Sequence, residues 1–295
     1  MATAPHIPYP SKTPLPFPPP RKQQSREQHN PLTLWHLLSL DAPTVAALWT
    51  WFLARANHIH LPPAAIAAMS IAVWLLYATD RLLDSRTTDT HTLEARHHFH
   101  HRHRRAFLTT ILLSAATLAA LLPRLTPASI RLYLIEGSFL VAYFILIHAT
   151  RSAHRLPKEF AVGLFFAAAT FIPTISREPS LRLPLLAPAI LFSALCSLNC
   201  LFIYAWEHHS SDPTAHLTTR IALQSLKPLA TALLLASTAL TLLDHQAPWP
   251  IPASIALSTA ALLLLHRYRH TIPATTLRAA ADLALLTPAL FVFFL

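Results

Sequence analysis

Charge is the scarcest commodity in this sequence. Only 12% of its 295 residues are charged, and 13 are acidic. A soluble domain of this length carries about twice that share. Hydrophobic residues make up 53%, and mean hydropathy is positive. Apolar residues come in long blocks with charges gathered between them, which excludes an ordinary soluble fold and indicates a polytopic membrane protein. Cysteine is nearly absent too. Cys196 and Cys200 lie four apart in one apolar run, on one helix face. A disulfide within a helix is geometrically awkward and a metal site needs more ligands, so both read as small core residues.

The first 32 residues hold no apolar core, so no cleaved signal peptide is expected. They are rich in proline and basic residues (PYPSKTPLPFPPPRKQQSR) and read as a disordered tail. Residues 33–295 then form one transmembrane domain. The net charge of +10 suggests nucleic-acid binding at first sight. In a membrane protein, basic residues instead hold loops on the cytoplasmic side, so no nucleic-acid partner is expected.

The fold expected is all-α with nine transmembrane helices, near 35–54, 62–80, 106–122, 130–148, 159–175, 185–206, 227–243, 250–266 and 279–295. With the N-terminus inside, 18 of the 23 Lys and Arg residues fall in inner segments and 5 in outer ones. That bias puts the N-terminus in the cytoplasm and the C-terminus on the opposite side. The cellular membrane itself is not encoded.

Acids are unevenly placed. The second span ends in WLLYATDRLLDSRTTD, with Asp80, Asp84 and Asp89. Asp80 and Asp84 share a helix face, where two carboxylates repel unless a cation joins them. Hard divalent cations take oxygen ligands, and Mg²⁺ is commonly shared between carboxylates and substrate phosphates. The plain alternative is a solvated helix end, with Arg81 and Arg86 pairing the aspartates. The sixth span ends similarly, in SLNCLFIYAWEHHSSD. Asn199 and Glu207 lie two helical turns apart there, and Asp212 follows. These two span ends and their loops hold six of the 13 acids, counting Glu94. Such a two-part pattern suggests an internal duplication with one shared site. Between 93 and 105 runs LEARHHFHHRHRR. Its arginines, Arg96 among them, can hold diphosphate oxygens, or simply anchor the loop against anionic lipid.

Nine spans with acidic motifs after the second and sixth resemble the UbiA family of intramembrane prenyltransferases. Asp80 and Asp84, with Arg81 between them, match the end of the family's N-x-x-x-D-x-x-x-D motif, and Leu76 stands at its Asn position. Asn199 and Glu207 match outer positions of the second motif, with Ile203 where an aspartate is common. Lys158 and Gly163 match a basic residue and a glycine at the opening of span five. The resemblance implies a helical bundle around a central cavity. Mg²⁺ would be held by Asp80, Asp84, Glu207 and Asp212. Arg96, Lys158 and Asn199 would bind the diphosphate of an isoprenoid donor. Asp89 is either a third metal contact or a loop residue. An isoprenoid group would pass to a lipophilic acceptor, such as an aromatic ring, inside the membrane.

Two other readings stay open. His97, His100 and His101 read H-x-x-H-H, and His266 and His270 read H-x-x-x-H, as in histidine-box di-iron hydroxylases or desaturases. A second H-x-x-H-H box is missing. Asp41 and Glu136 are acids inside spans, which points to a transporter or a non-enzymatic descendant of the fold. The plain alternative is that each pairs with a buried arginine or simply faces the cavity. The tryptophans gather near span ends, as interfacial anchors do, and Trp74, Tyr77, Tyr204 and Trp206, close to the acidic groups, could also border a cation.

Overall fold

A computed structural model describes residues 31–87, 103–149, 158–207, 216–244 and 246–295. Among these no strand occurs. The helices are α1 (Pro31–Leu37), α2 (Asp41–Ala56), α3 (Pro63–Thr87), α4 (Arg104–Leu121), α5 (Pro127–Ala149), α6 (Lys158–Arg177), α7 (Leu186–Glu207), α8 (Leu217–Gln224), α9 (Leu226–Leu243), α10 (Pro250–Tyr268) and α11 (Ala274–Leu283), which runs on as a 3₁₀ helix over Ala284–Phe294. Among the described residues, seven helical stretches are long and apolar enough to cross a membrane: Pro63–Leu82, Arg104–Arg124, Lys158–Arg177, Leu186–Glu207, Leu226–Leu243, Pro250–Tyr268 and Ala274–Phe294. That is the signature of a multi-pass membrane protein.

Where apolar side chains point distinguishes this bundle from a soluble one. Leu112 and Leu113 on α4 and Leu134 and Phe139 on α5 are each more than 60% exposed. A helix apolar all round that stays unburied needs lipid as its solvent. The interior is built mainly by α2, α6, α7 and α10. Trp49 packs on Phe192 with ring centroids 4.2 Å apart and meets Phe52 edge-on at 5.7 Å. Both ring partners are fully buried, as are Leu195, Phe202, Ile251 and Ile255. The Trp49 indole Nε1 donates to the Leu285 carbonyl at 2.8 Å, which ties α2 to the C-terminal 3₁₀ segment.

Gly163 permits a close helix approach. A Cβ there would lie 2.6 Å from the Ser193 carbonyl oxygen and 2.8 Å from the Ser197 amide nitrogen. Only a bare Cα lets α6 meet α7 this closely.

Pro173 lies inside α6. It has no N–H, so the Ala169 carbonyl one turn back loses its helical partner. The Tyr133 hydroxyl from α5 donates to that carbonyl at 3.3 Å. In hydrocarbon an unpaired carbonyl costs several kcal/mol, so this long-range bond fixes α5 on α6.

The run 35–54 is not one helix. It breaks at Ser39, which takes φ 59°, a left-handed conformation uncommon outside glycine. At the break the His36 carbonyl accepts from the Ser39 amide at 3.0 Å and, in addition, from Arg81 of α3 at 2.9 Å, and Arg81 also donates to Ser39 Oγ at 2.7 Å. α2 restarts at Asp41, whose Oδ1 accepts from the Ala42 amide at 3.0 Å. At 16 residues it measures about 24 Å, short of a full hydrocarbon core.

Candidate functional site

The break at Ser39 puts two polar side chains face to face. His36 Nδ1 lies 2.5 Å from Asp41 Oδ2, and both residues are buried. Arg81 NH2 stands 3.5 Å from the same carboxylate oxygen. From the other side comes Asp282, in the last turn of α11. One ligand atom each from His36, Asp41 and Asp282 lies within 4.8 Å of the other two. Asn199 of α7 closes the group, its Nδ2 donating to Asp282 Oδ1 at 2.8 Å. Asn199 is 6% exposed, and its Oδ1 has no hydrogen-bond partner among the described residues.

Five elements therefore converge: α1, α2, α3, α7 and α11. The Tyr77 phenol of α3 lies within electrostatic range of Asp41, Arg81, Cys200 and Asp282. Cys200 of α7 is in turn within range of Lys158 and Glu159 at the start of α6. Two carboxylates thus share this site with one guanidinium and the His36 imidazole. Buried carboxylates left short of positive charge are costly, by several kcal/mol each.

Around this polar end the residues singled out above are distributed as follows. Asp80 is half-buried one residue before Arg81, with no hydrogen bond or ion pair among the described residues. Asp84 lies in α3, and its side chain is outside the described residues. Asp89, Glu94, Arg96, His97, His100, His101 and Asp212 are outside them altogether. Lys158 is exposed at the first position of α6. Glu207 ends α7 and accepts a hydrogen bond from Arg278 of α11. Leu76 is exposed, and Ile203 is half-buried. Arg81 turns away from the DRLLD stretch to Asp41 and the Ser39 turn. His266 takes the Trp206 indole N–H on Nδ1 at 3.0 Å, and His270 is exposed. Glu136 lies one helical turn beyond Tyr133 on α5.

Two participants escaped the sequence reading. Asp282 sits alone in the apolar run ADLALL, and an isolated acid in a span is itself a functional signal. His36 had no such signal, because nothing in LWHLLSLD announces a left-handed turn at Ser39. Comparison with known proteins adds nothing further: no family model, no curated protein and no solved structure matches this chain.

Proposed function

We propose that this protein is a UbiA-like intramembrane prenyltransferase. It moves an isoprenoid group from a prenyl diphosphate to a lipophilic, aromatic-type acceptor. The observation that carries this reading is convergence. The 77–81 segment of α3 and the 199–200 segment of α7 are more than a hundred residues apart, yet they meet at one polar end of an apolar bundle. In this reading α2 and α5 complete nine spans, and the polar end faces the cytoplasm, where the basic residues collect.

Asp80 supplies the test of fit for Mg²⁺. Its carboxylate is half-buried at the end of a membrane-long helix and unpaired among the described residues, so its oxygens suit a hard cation. Glu207, by contrast, already faces Arg278. Asp80, Asp84, Glu207 and Asp212 would hold the ion. When bound, Mg²⁺ supplies Lewis-acid stabilisation of the diphosphate leaving group. Lys158, exposed at the start of α6, Arg96 and Asn199 would bind diphosphate oxygens. The apolar helix walls keep water from the reacting carbon.

The test is a screen for Mg²⁺-dependent diphosphate release from C10, C15 and C20 donors by the purified protein, in parallel with Asp80→Ala. Release by the wild type and its loss in the variant support the reading. No binding and no turnover with any donor rejects it. A second reading, a transporter-like or non-enzymatic descendant, draws on the buried Asp41 and Arg81 and the half-buried Asp282, since ionisable groups inside a membrane bundle mark ion or proton paths. Prenyl diphosphate binding in the presence of Mg²⁺ separates the two.

A further inference from the structure

We infer that His36, Asp41 and Asp282 form a site for one divalent metal ion of the zinc class, separate from any carboxylate site at Asp80 and Asp84. The donor set is one imidazole nitrogen and two carboxylate oxygens, all within 4.8 Å of one another. Nitrogen in the set argues against Mg²⁺ and Ca²⁺, which prefer oxygen alone, and favours Zn²⁺ or a neighbour in the first transition row. Zn²⁺ bonds such donors at about 2.0–2.2 Å, so around a tetrahedral ion the donors would stand roughly 3.4 Å apart. To reach that value the His36 Nδ1–Asp41 Oδ2 pair, now 2.5 Å apart, would open by about 0.9 Å around the ion.

Two further observations point to a cation here. The first is charge. Asp41 and Asp282 face one permanently charged group, Arg81, besides the His36 imidazole on Asp41, and Arg81 makes its shorter hydrogen bonds to the His36 carbonyl and Ser39 Oγ. Its 3.5 Å approach to Asp41 is well beyond the about 2.7–2.9 Å of a strong charge-assisted pair. The second is Asn199. Its amide is turned into the cluster by the bond to Asp282, yet Oδ1 is buried with no partner among the described residues. A buried amide oxygen without a donor costs about 1–3 kcal/mol. A bound ion, or water on its open position, would satisfy it. Three protein ligands and one open position is the pattern of a reactive zinc site.

The ligands come from separate parts of the chain. His36 and Asp41 flank the Ser39 turn, and Asp282 is contributed by the last span. Metal binding would therefore clamp the first span to the last.

The experiment uses the full chain, purified in detergent and stripped with chelator. His97, His98, His100, His101 and His103 are replaced by Gln throughout, because that run can bind divalent metals unaided. Zn²⁺ content is measured after equilibrium dialysis. Co²⁺ is substituted in parallel, so that absorption reports the coordination geometry. About one ion per chain is expected in this background and in Asp80→Asn, with affinity lowered at least about tenfold in His36→Gln and in Asp282→Asn. His36→Gln keeps both carboxylates and Arg81 in place, so it remains informative if Asp282→Asn fails to fold. Absence of a bound ion in the parent, or retention of wild-type affinity in His36→Gln, overturns the inference. Loss of the ion in Asp80→Asn alone also overturns it, by assigning the metal to the other site. The prenyltransfer screen is read independently, so each proposal can fail without the other.

Discussion

The chain has two glycines, and the structure gives them opposite expectations when each is changed to alanine. At Gly163 the new methyl would meet Ser197 Oγ and lie 2.6 Å and 2.8 Å from backbone atoms of α7. Ordinary contact begins near about 3.5 Å, so the overlap is roughly 0.8 Å. The Ser197 hydroxyl can rotate away, but a carbonyl and an amide inside a helix cannot. α6 and α7 must therefore separate around Gly163. Overpacking of this kind costs about 1–3 kcal/mol. At Gly137 nothing lies within 4 Å of the new methyl. Both substitutions share the same gain in helix propensity, at most about 1 kcal/mol. That gain cancels in the comparison, so the difference between the variants isolates the packing cost. Gly163→Ala is expected to be less stable than Gly137→Ala by about 1–3 kcal/mol. Thermal unfolding in detergent, followed by circular dichroism, measures it. Adding Ser197→Ala to Gly163→Ala should restore little, since the backbone overlap persists. Equal stability of the two glycine variants, or greater stability of Gly163→Ala, refutes the close-approach reasoning.

Other expectations follow from the same packing. Arg81→Met leaves Asp41 buried without its guanidinium and removes the hydrogen bonds to the His36 carbonyl and Ser39 Oγ, so a loss of about 3–5 kcal/mol is expected in the same melt. Adding Asp41→Asn should recover part of that loss, and no recovery would show that Arg81 acts through the Ser39 turn instead. Trp49→Phe keeps most of the packing but leaves the Leu285 carbonyl unpaired, at a cost of about 1–3 kcal/mol, and should first loosen the C-terminal segment in hydrogen exchange. Glu207→Gln weakens a partly exposed pair with Arg278, so stability should change by less than about 1 kcal/mol. A sharp loss of diphosphate release in that variant would then report function and not folding.

The all-helical character was legible in the sequence, and for a simple reason. In lipid a backbone must satisfy its own hydrogen bonds, so an apolar run of about 20 residues has little choice but a helix. The run 186–207, for example, matches the expected 185–206 almost residue for residue. Half of the candidate site was legible too. Asp41 stood out as an acid in a span, and Asn199 as a polar residue at the end of one. Both belong to the buried cluster. Asp80 was placed at the membrane-long end of α3, but its neighbour Arg81 went to a partner 40 residues away. The Ser39 break was invisible, because its stabilising arginine lies on another helix.

The sequence by itself determined where helices form and which of them lipid can surround, since both depend on local runs of apolar side chains. Only the tertiary structure decided which polar groups meet. Asn199 and Asp282 are 83 residues apart, Tyr133 and Ala169 are 36 apart, and Gly163 touches Ser193 across two helices. Each contact depends on how far a helix is rotated about its axis and how closely its neighbour approaches. Those quantities are set by the packing of the whole bundle, and no local stretch of residues carries them.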